Sequence, residues 1–413
     1  MDTFLIILVY IFTNVLLLLK LKTINFYSVF STVITICFVC NESFGISYDY
    51  VNFIYILSII LFFIPFYTIT CFGKPIITKP KTISYSKCNK YVKIYFIVAI
   101  VEFVINIISI LRFANYSLLY YLRNPDLVHM AYLNRSTSII DILVTMLNWF
   151  SIINIIIIAF LFGKKKNRHK LISVISVSLK VFAGLFLMSK MSILVPIIIF
   201  IFAFLISTDL RKNMKKIVKL VLLFGIVGYG ALVVIGLQRH YDVIYQENIF
   251  VIVLKKALSY FYGSIEAFGA AMEEGFISGN GVYSLRPFAS ILNLFGAKIN
   301  TDLHLGFVDV SFGNTNVYGM IGLFYMDFGL SYVIMMMIVL GTVCGLLSVV
   351  SNKGLAYYVF SSIMYMVLVM SFYTFMFAQT YLIIIIIISF CIQNKFLVKE
   401  NIKHENLRCS SNL

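Results

Sequence analysis

Runs of about twenty apolar residues recur from one end of this chain to the other, and they constrain its fold more than any other feature. A helix of that length spans the roughly 30 Å hydrocarbon core of a bilayer. Only helices and closed barrels satisfy their backbone hydrogen bonds there. The runs lack the alternation of barrel strands, so helices are expected. Charge agrees: 12% of the 413 residues are charged and 61% are hydrophobic, whereas soluble domains are about one quarter charged. So few charges cannot cover a water-facing surface. The chain reads as an all-α, polytopic integral membrane protein.

Eleven spans are expected, at roughly 4–19, 26–40, 50–72, 91–111, 139–162, 171–188, 193–207, 217–236, part of 316–350, 355–375 and 378–392. The count could shift by one either way, between ten and twelve, because the run 316–350 is long. The turns after spans one, three, five, seven and nine, and the tail, are rich in lysine; the turns between them are not. By the positive-inside rule the lysine-rich side is cytoplasmic, so the tail is inside and the N-terminus outside. That rule also absorbs the net charge of +16, which in a soluble protein would suggest nucleic acid; no nucleic-acid partner is expected. The first run reads as a retained span. Most of the seven cysteines lie in or beside apolar spans, Cys37 and Cys40 among them, so neither disulfide nor zinc is expected. The organisation is an N-terminal bundle of about eight helices at 1–236, a large outer loop at 237–315, C-terminal helices at 316–394 and a tail at 395–413.

Each ionisable residue at membrane depth costs about 2.5–3.5 kcal/mol and needs a reason to be there. Glu102 and Lys180 fall near the middles of spans four and six, at similar depth, and are expected to pair. Lys190 sits at the tip of the hairpin between spans six and seven, where it either snorkels or meets a lipid phosphate. Asp327 precedes the expected start of a span near Leu330, and the apolar MIGLFYM before it is expected to dip into the membrane as a helix or re-entrant piece. Gly341 and Gly345 form a GxxxG step, a sign of close helix contact.

The stretch TNVYGMIGLFYMDFGLS, residues 315–331, holds Asn316, Tyr318, Asp327 and Gly329 at fixed spacing in front of a span. With the span count and one large loop late in the chain, it resembles bacterial O-antigen polymerases, the repeat-unit polymerases of surface polysaccharides. The SKMS hairpin, with Lys190 where an arginine is common, and Gln238-Arg239 at the loop entrance are weaker echoes. The resemblance implies a periplasmic loop in a bacterial inner membrane. It also implies transfer of a growing chain from its polyprenyl-diphosphate carrier to a new lipid-linked repeat unit. The implied partners are polyprenyl-diphosphate-linked oligosaccharides, the bilayer and a chain-length regulator in the same membrane.

That chemistry asks for cations at headgroup height, and arginine suits it because its fork grips phosphate with two parallel hydrogen bonds. Arg239, Arg286 and Lys190 are the candidates for the diphosphate; Arg112, Arg123 and Arg135 are further outer-side arginines. An acceptor hydroxyl gains from a positioned base. Asp327 and His304 are the candidates, with Arg239 beside them in catalysis, and His240, Asp302 and Asp309 as further choices. Asn316 and Tyr318 are the candidate glycan contacts. No acidic cluster has metal spacing, and no cofactor is expected. Two other readings share parts of this pattern: an O-antigen ligase-like transferase, and a transporter or flippase for a lipid-linked glycan. The chain lacks repeated halves, which weighs against the transporter.

Overall fold

The computed structural model describes residues 2–21, 25–76, 83–124, 127–128, 131, 139–187, 189–208, 219, 226, 230, 249–275, 281–299, 308–311, 313–315, 317–351 and 353–397. The molecule is a helical bundle. Its helices are α1 (Asp2–Leu21), α2 (Phe26–Phe44), α3 (Asp49–Phe72), α4 (Tyr85–Leu111), the short α5 (Leu118–Arg123), α6 (Ile139–Gly163), α7 (Lys170–Phe186) and α8 (Lys190–Ser207). Then come α9 (Ile249–Glu273), α10 (Arg286–Leu294), α11 (Gly319–Ser348), α12 (Leu355–Val369) and α13 (Thr380–Ile392). Among the described residues six helices are long and apolar enough to cross a membrane, and three more are apolar but shorter. The expected eighth span lies almost wholly outside the described residues.

Polar side chains mark where helices begin. Asn25 accepts from Ser28 N at 2.8 Å to cap α2, and Ser189 accepts from Ser192 N at 3.3 Å to cap α8. Such caps satisfy amide donors that the first turn leaves unpaired. The centre is built from α12 and the second half of α6, whose side chains from Ile152 to Leu161 are buried all round. A helix apolar on every face belongs in such a core.

Helices α3 and α11 run side by side in the same direction. Tyr50 meets Tyr325 edge-on at 6.1 Å, and further along Gly341 lies against Phe62 and Pro65, and Gly345 against Ile69. A Cβ on Gly341 would fall 2.4 Å from the Phe62 carbonyl oxygen, so the GxxxG step does mark a close helix contact.

The lysine-rich turns after spans three, five and nine gather with the start of the tail at one end of the molecule. Ser351 N donates to Ile76 O at 3.3 Å, Lys87 Nζ to Leu397 O at 2.5 Å, and Asn89 Nδ2 to Lys166 O at 3.0 Å. These contacts join the stretches after spans three, five and nine to the start of the tail, as alternation of lysine-rich and lysine-poor turns requires.

The interval 237–315 is more than the loop expected of it. It holds α9, which packs along α2, with Tyr262 beside Phe44 and Gly269 under the Tyr48 ring. Lys255, Lys256 and Glu266 interrupt the apolar pattern and hide this helix from a search for spans. A hairpin follows, β1 (Val308–Val310) paired antiparallel with β2 (Gly313–Thr315), the only sheet among the described residues.

Candidate functional site

At the end opposite the lysine-rich turns described above, α4, α6 and α7 bring four polar side chains to one point. Lys180 of α7 forms a salt bridge to Glu102 Oε1 of α4, as the matching depths of the two residues predict. The ammonium also donates to Asn148 Oδ1 of α6 at 2.5 Å, and Ser151 Oγ, one turn further along α6, donates to Glu102 Oε2. Glu102 is 2% exposed. A charge so buried is tolerable because a cation and a hydroxyl occupy both of its oxygens.

Lys180 and Asn148 face a cavity of about 320 Å³, within the usual range for a ligand site. Its other walls are Met191, Ser192, Val195 and Pro196 from the first turns of α8, and Tyr373, Thr374, Met376, Gln379 and Tyr381 from the segment entering α13. Residues 370–379 form two short 3₁₀ turns, joined through a turn at Tyr373 and extended backbone at Phe375. Non-helical backbone at membrane depth is tolerated where it lines a cavity. The cavity carries amide, hydroxyl and phenol groups, and its one ion pair is internally balanced. The larger part of its lining is apolar, from Ile152, Met191, Val195, Pro196 and Met376.

Asp327 sits where α11 kinks. Phe328 leaves helical geometry, and Gly329 takes φ 74° and ψ −164°, a region open essentially only to glycine. The Asp327 carboxylate is buried. It accepts from Tyr283 N at 3.0 Å, from Ser284 N at 2.8 Å and from Ser284 Oγ. Ser284 Oγ also lies 2.9 Å from Tyr332 OH. Both carboxylate oxygens are therefore taken, and their work is to fasten the turn 281–285 onto α11. Two residues later α10 begins with Arg286, half-buried and without a hydrogen bond or ion pair among the described residues.

These two regions share a seat. Helix α10 packs on Met376–Ala378, the same segment that lines the cavity through Met376. Phe324 of α11 stacks edge-on with Phe375 at 4.8 Å, and Phe375 with Phe377 at 5.8 Å. Asp327, Arg286 and the cavity are thus built on one packed frame.

The remaining candidates divide as follows. Lys190 opens α8 beside the cavity-lining Met191 and Ser192, but its side chain lies outside the described residues. Arg239, His304, Asn316, Arg135, His240 and Asp302 lie outside them entirely. Arg112 and Arg123 are exposed at the ends of α4 and α5, and Asp309 is exposed on β1. Tyr318 is buried where α11 starts; burial first, then the Glu274 carboxylate, pushes its phenol up to about 12. A side chain so enclosed is better placed to hold the start of α11 than to meet a glycan.

Sequence reasoning missed Asn148, Ser151, Ser284, Gln379 and Glu266. Asn148 and Ser151 carried a usable signal, being polar three residues apart within one apolar run, hence on one helix face. Glu266 carried the opposite of a signal, since it reads as a loop acid; in the fold it is buried and accepts from Ser311 N and Oγ, each at 2.6 Å, holding the hairpin to α9. Comparison of the chain with protein-family models, curated proteins and solved structures returns no match.

Proposed function

We propose that this protein polymerises polyprenyl-diphosphate-linked oligosaccharide repeat units at the periplasmic face of a bacterial inner membrane. The carrying observation is Arg286: a cation without a protein partner among the described residues, at the start of α10, which packs on the Met376–Ala378 segment that also lines the charge-balanced cavity through Met376. A lipid-diphosphate glycan has two such parts, an anionic linkage at headgroup height and a neutral glycan beside it.

The reaction breaks the bond between the anomeric carbon of the growing chain and its diphosphate oxygen. The bonding pair leaves with the lipid diphosphate. An acceptor hydroxyl of the new lipid-linked unit forms the glycosidic bond and gives its proton to a base. Arg286 takes the diphosphate, with Arg239 and Lys190 as further cations at that height. The base is His304, because the Asp327 oxygens already hold Tyr283 and Ser284. Asp327 is a positioning residue that fixes the turn in front of Arg286. The glycan lies against Asn148, Gln379 and Tyr381, and Asn316 is a further candidate contact. The lysine-rich end faces the cytoplasm, which puts the cavity end outside.

The test is incubation of the purified protein with a single lipid-linked repeat unit. A ladder of longer products with released polyprenyl diphosphate is expected. Transfer only to a different acceptor would replace the polymerase by a ligase-like transferase. Movement of the intact unit across a vesicle membrane, without cleavage, would replace it by a flippase.

A further inference from the structure

We propose that α10 is an interfacial helix lying along the bilayer surface, which seats Phe288, Leu292 and Phe295 in the acyl boundary of a leaflet bearing anionic headgroups. At about 100° per residue, positions 288, 292 and 295 fall on one side of the helix and its following turn. Their side chains are 59%, 50% and 85% exposed. Arg286, Ser290 and Asn293 occupy the opposite arc and are half-buried. This inverts the pattern of a helix facing water, whose outward arc is polar. An apolar arc turned outward needs an apolar medium to cover it.

Depth points to the bilayer as that medium. Beyond the kink at Phe328 and Gly329, the arm of α11 from 330 to 348 is about 29 Å long at roughly 1.5 Å per residue, close to the thickness of a hydrocarbon core. The kink therefore sits at the edge of the core. Asp327 binds Ser284 at that edge, and Arg286 follows two residues later, so α10 starts at headgroup height. Phe328, itself exposed, continues the apolar surface at the same level.

The ends of α10 and the turn after it complete the fit. Asn293 Nδ2 donates to Ile299 O at 2.7 Å while its Oδ1 accepts from Ile299 N at 2.8 Å. The turn between them passes through Gly296 at φ 93°. Phe295 is thus held outward by an ordered turn. Arg286 and the exposed Lys298 bracket the apolar side chains, and no acidic residue lies between them in the sequence. Apolar side chains flanked by cations match an acyl boundary under anionic phosphates. The inference does not depend on the polymerase reading.

The experiment uses the full chain in nanodiscs of phosphatidylcholine with phosphatidylglycerol. Trp149, the single tryptophan, is replaced by Phe, and Phe295→Trp supplies the only indole. Blue-shifted emission is expected, lost when the acyl chains carry bromine near the glycerol and little affected by aqueous acrylamide. Phe288→Trp in the same background should behave alike, which guards against one variant that folds poorly. Quenching by acrylamide with indifference to bromine would overturn the proposal by leaving the helix in water. Shielding from both quenchers would overturn it in favour of a covering protein, a second copy of this chain included. Equal bromine quenching in pure phosphatidylcholine would overturn the claim of anionic headgroups.

Discussion

Two buried carboxylates, Glu102 and Asp327, meet the same energetic problem in opposite ways. Glu102 is answered by a cation, Lys180 of α7, and by the Ser151 hydroxyl of α6, while Asn148 takes a second hydrogen bond from the lysine. Asp327 is answered by backbone N–H groups and one hydroxyl, all from a single turn of distant sequence. The first solution leaves the lysine on a cavity wall, with room for a ligand. The second engages both oxygens of its acceptor and yields a fixed joint. A buried acid in a membrane-spanning segment is therefore no mark of chemistry by itself; what occupies its oxygens decides whether it binds, reacts or holds.

The comparison breaks first at Lys180. Lys180→Met strands a charge at Glu102 and should cost about 3–5 kcal/mol of stability, read as thermal unfolding in detergent. Exchanging both residues, Glu102→Lys with Lys180→Glu, should recover most of that loss; a double exchange no more stable than the single change would show that the pair is not what holds α4 to α7. Asp327→Asn should come next, at about 1.5–3 kcal/mol, because its hydrogen bonds are to a charged acceptor. Its signature is proteolytic nicking in 281–285, and an intact turn would contradict the joint.

A frame effect separates stability from the site. Gly341→Ala drives a Cβ against the Phe62 carbonyl oxygen and should cost about 1–3 kcal/mol by overpacking. Its ladder of products, measured below its lowered unfolding temperature, should keep the parental length distribution. Arg286→Gln should have the smallest effect on stability, within about 0.5 kcal/mol, because no protein partner among the described residues is lost. Its effect falls on turnover: a raised KM for the lipid-linked unit, partly restored by Arg286→Lys. Unchanged kinetics would remove Arg286 from the site.

Much of this was legible beforehand, for physical reasons that attach to particular residues. Glu102 and Lys180 announced a pair because two isolated charges at equal depth have few other partners in a bilayer. The kink of α11 at Phe328 and Gly329 was not expected; the sequence pointed only to an apolar segment entering the membrane before Leu330. Gly341 and Gly345 announced a close contact but not with what; α3 could be named only from the fold. Asp327 was noticed as an acid before a span, yet its partner, Ser284, lies 43 residues earlier in a stretch that reads as flexible. Tyr318, which the resemblance offers as a glycan contact, is enclosed by packing.

The sequence by itself determined the solvent, the helical class and the alternation of the turns. Those follow from composition and period, which act locally and add up along the chain. Only the tertiary structure decided that the apparent loop contains α9, that Asp327 is a joint, and that Asn148, Lys180, Ser192 and Gln379 meet around one cavity. These depend on which helices are neighbours. In a chain whose helices are nearly all apolar, one greasy face resembles another, so neighbours are chosen by small shape fits and by a few polar side chains that must find each other.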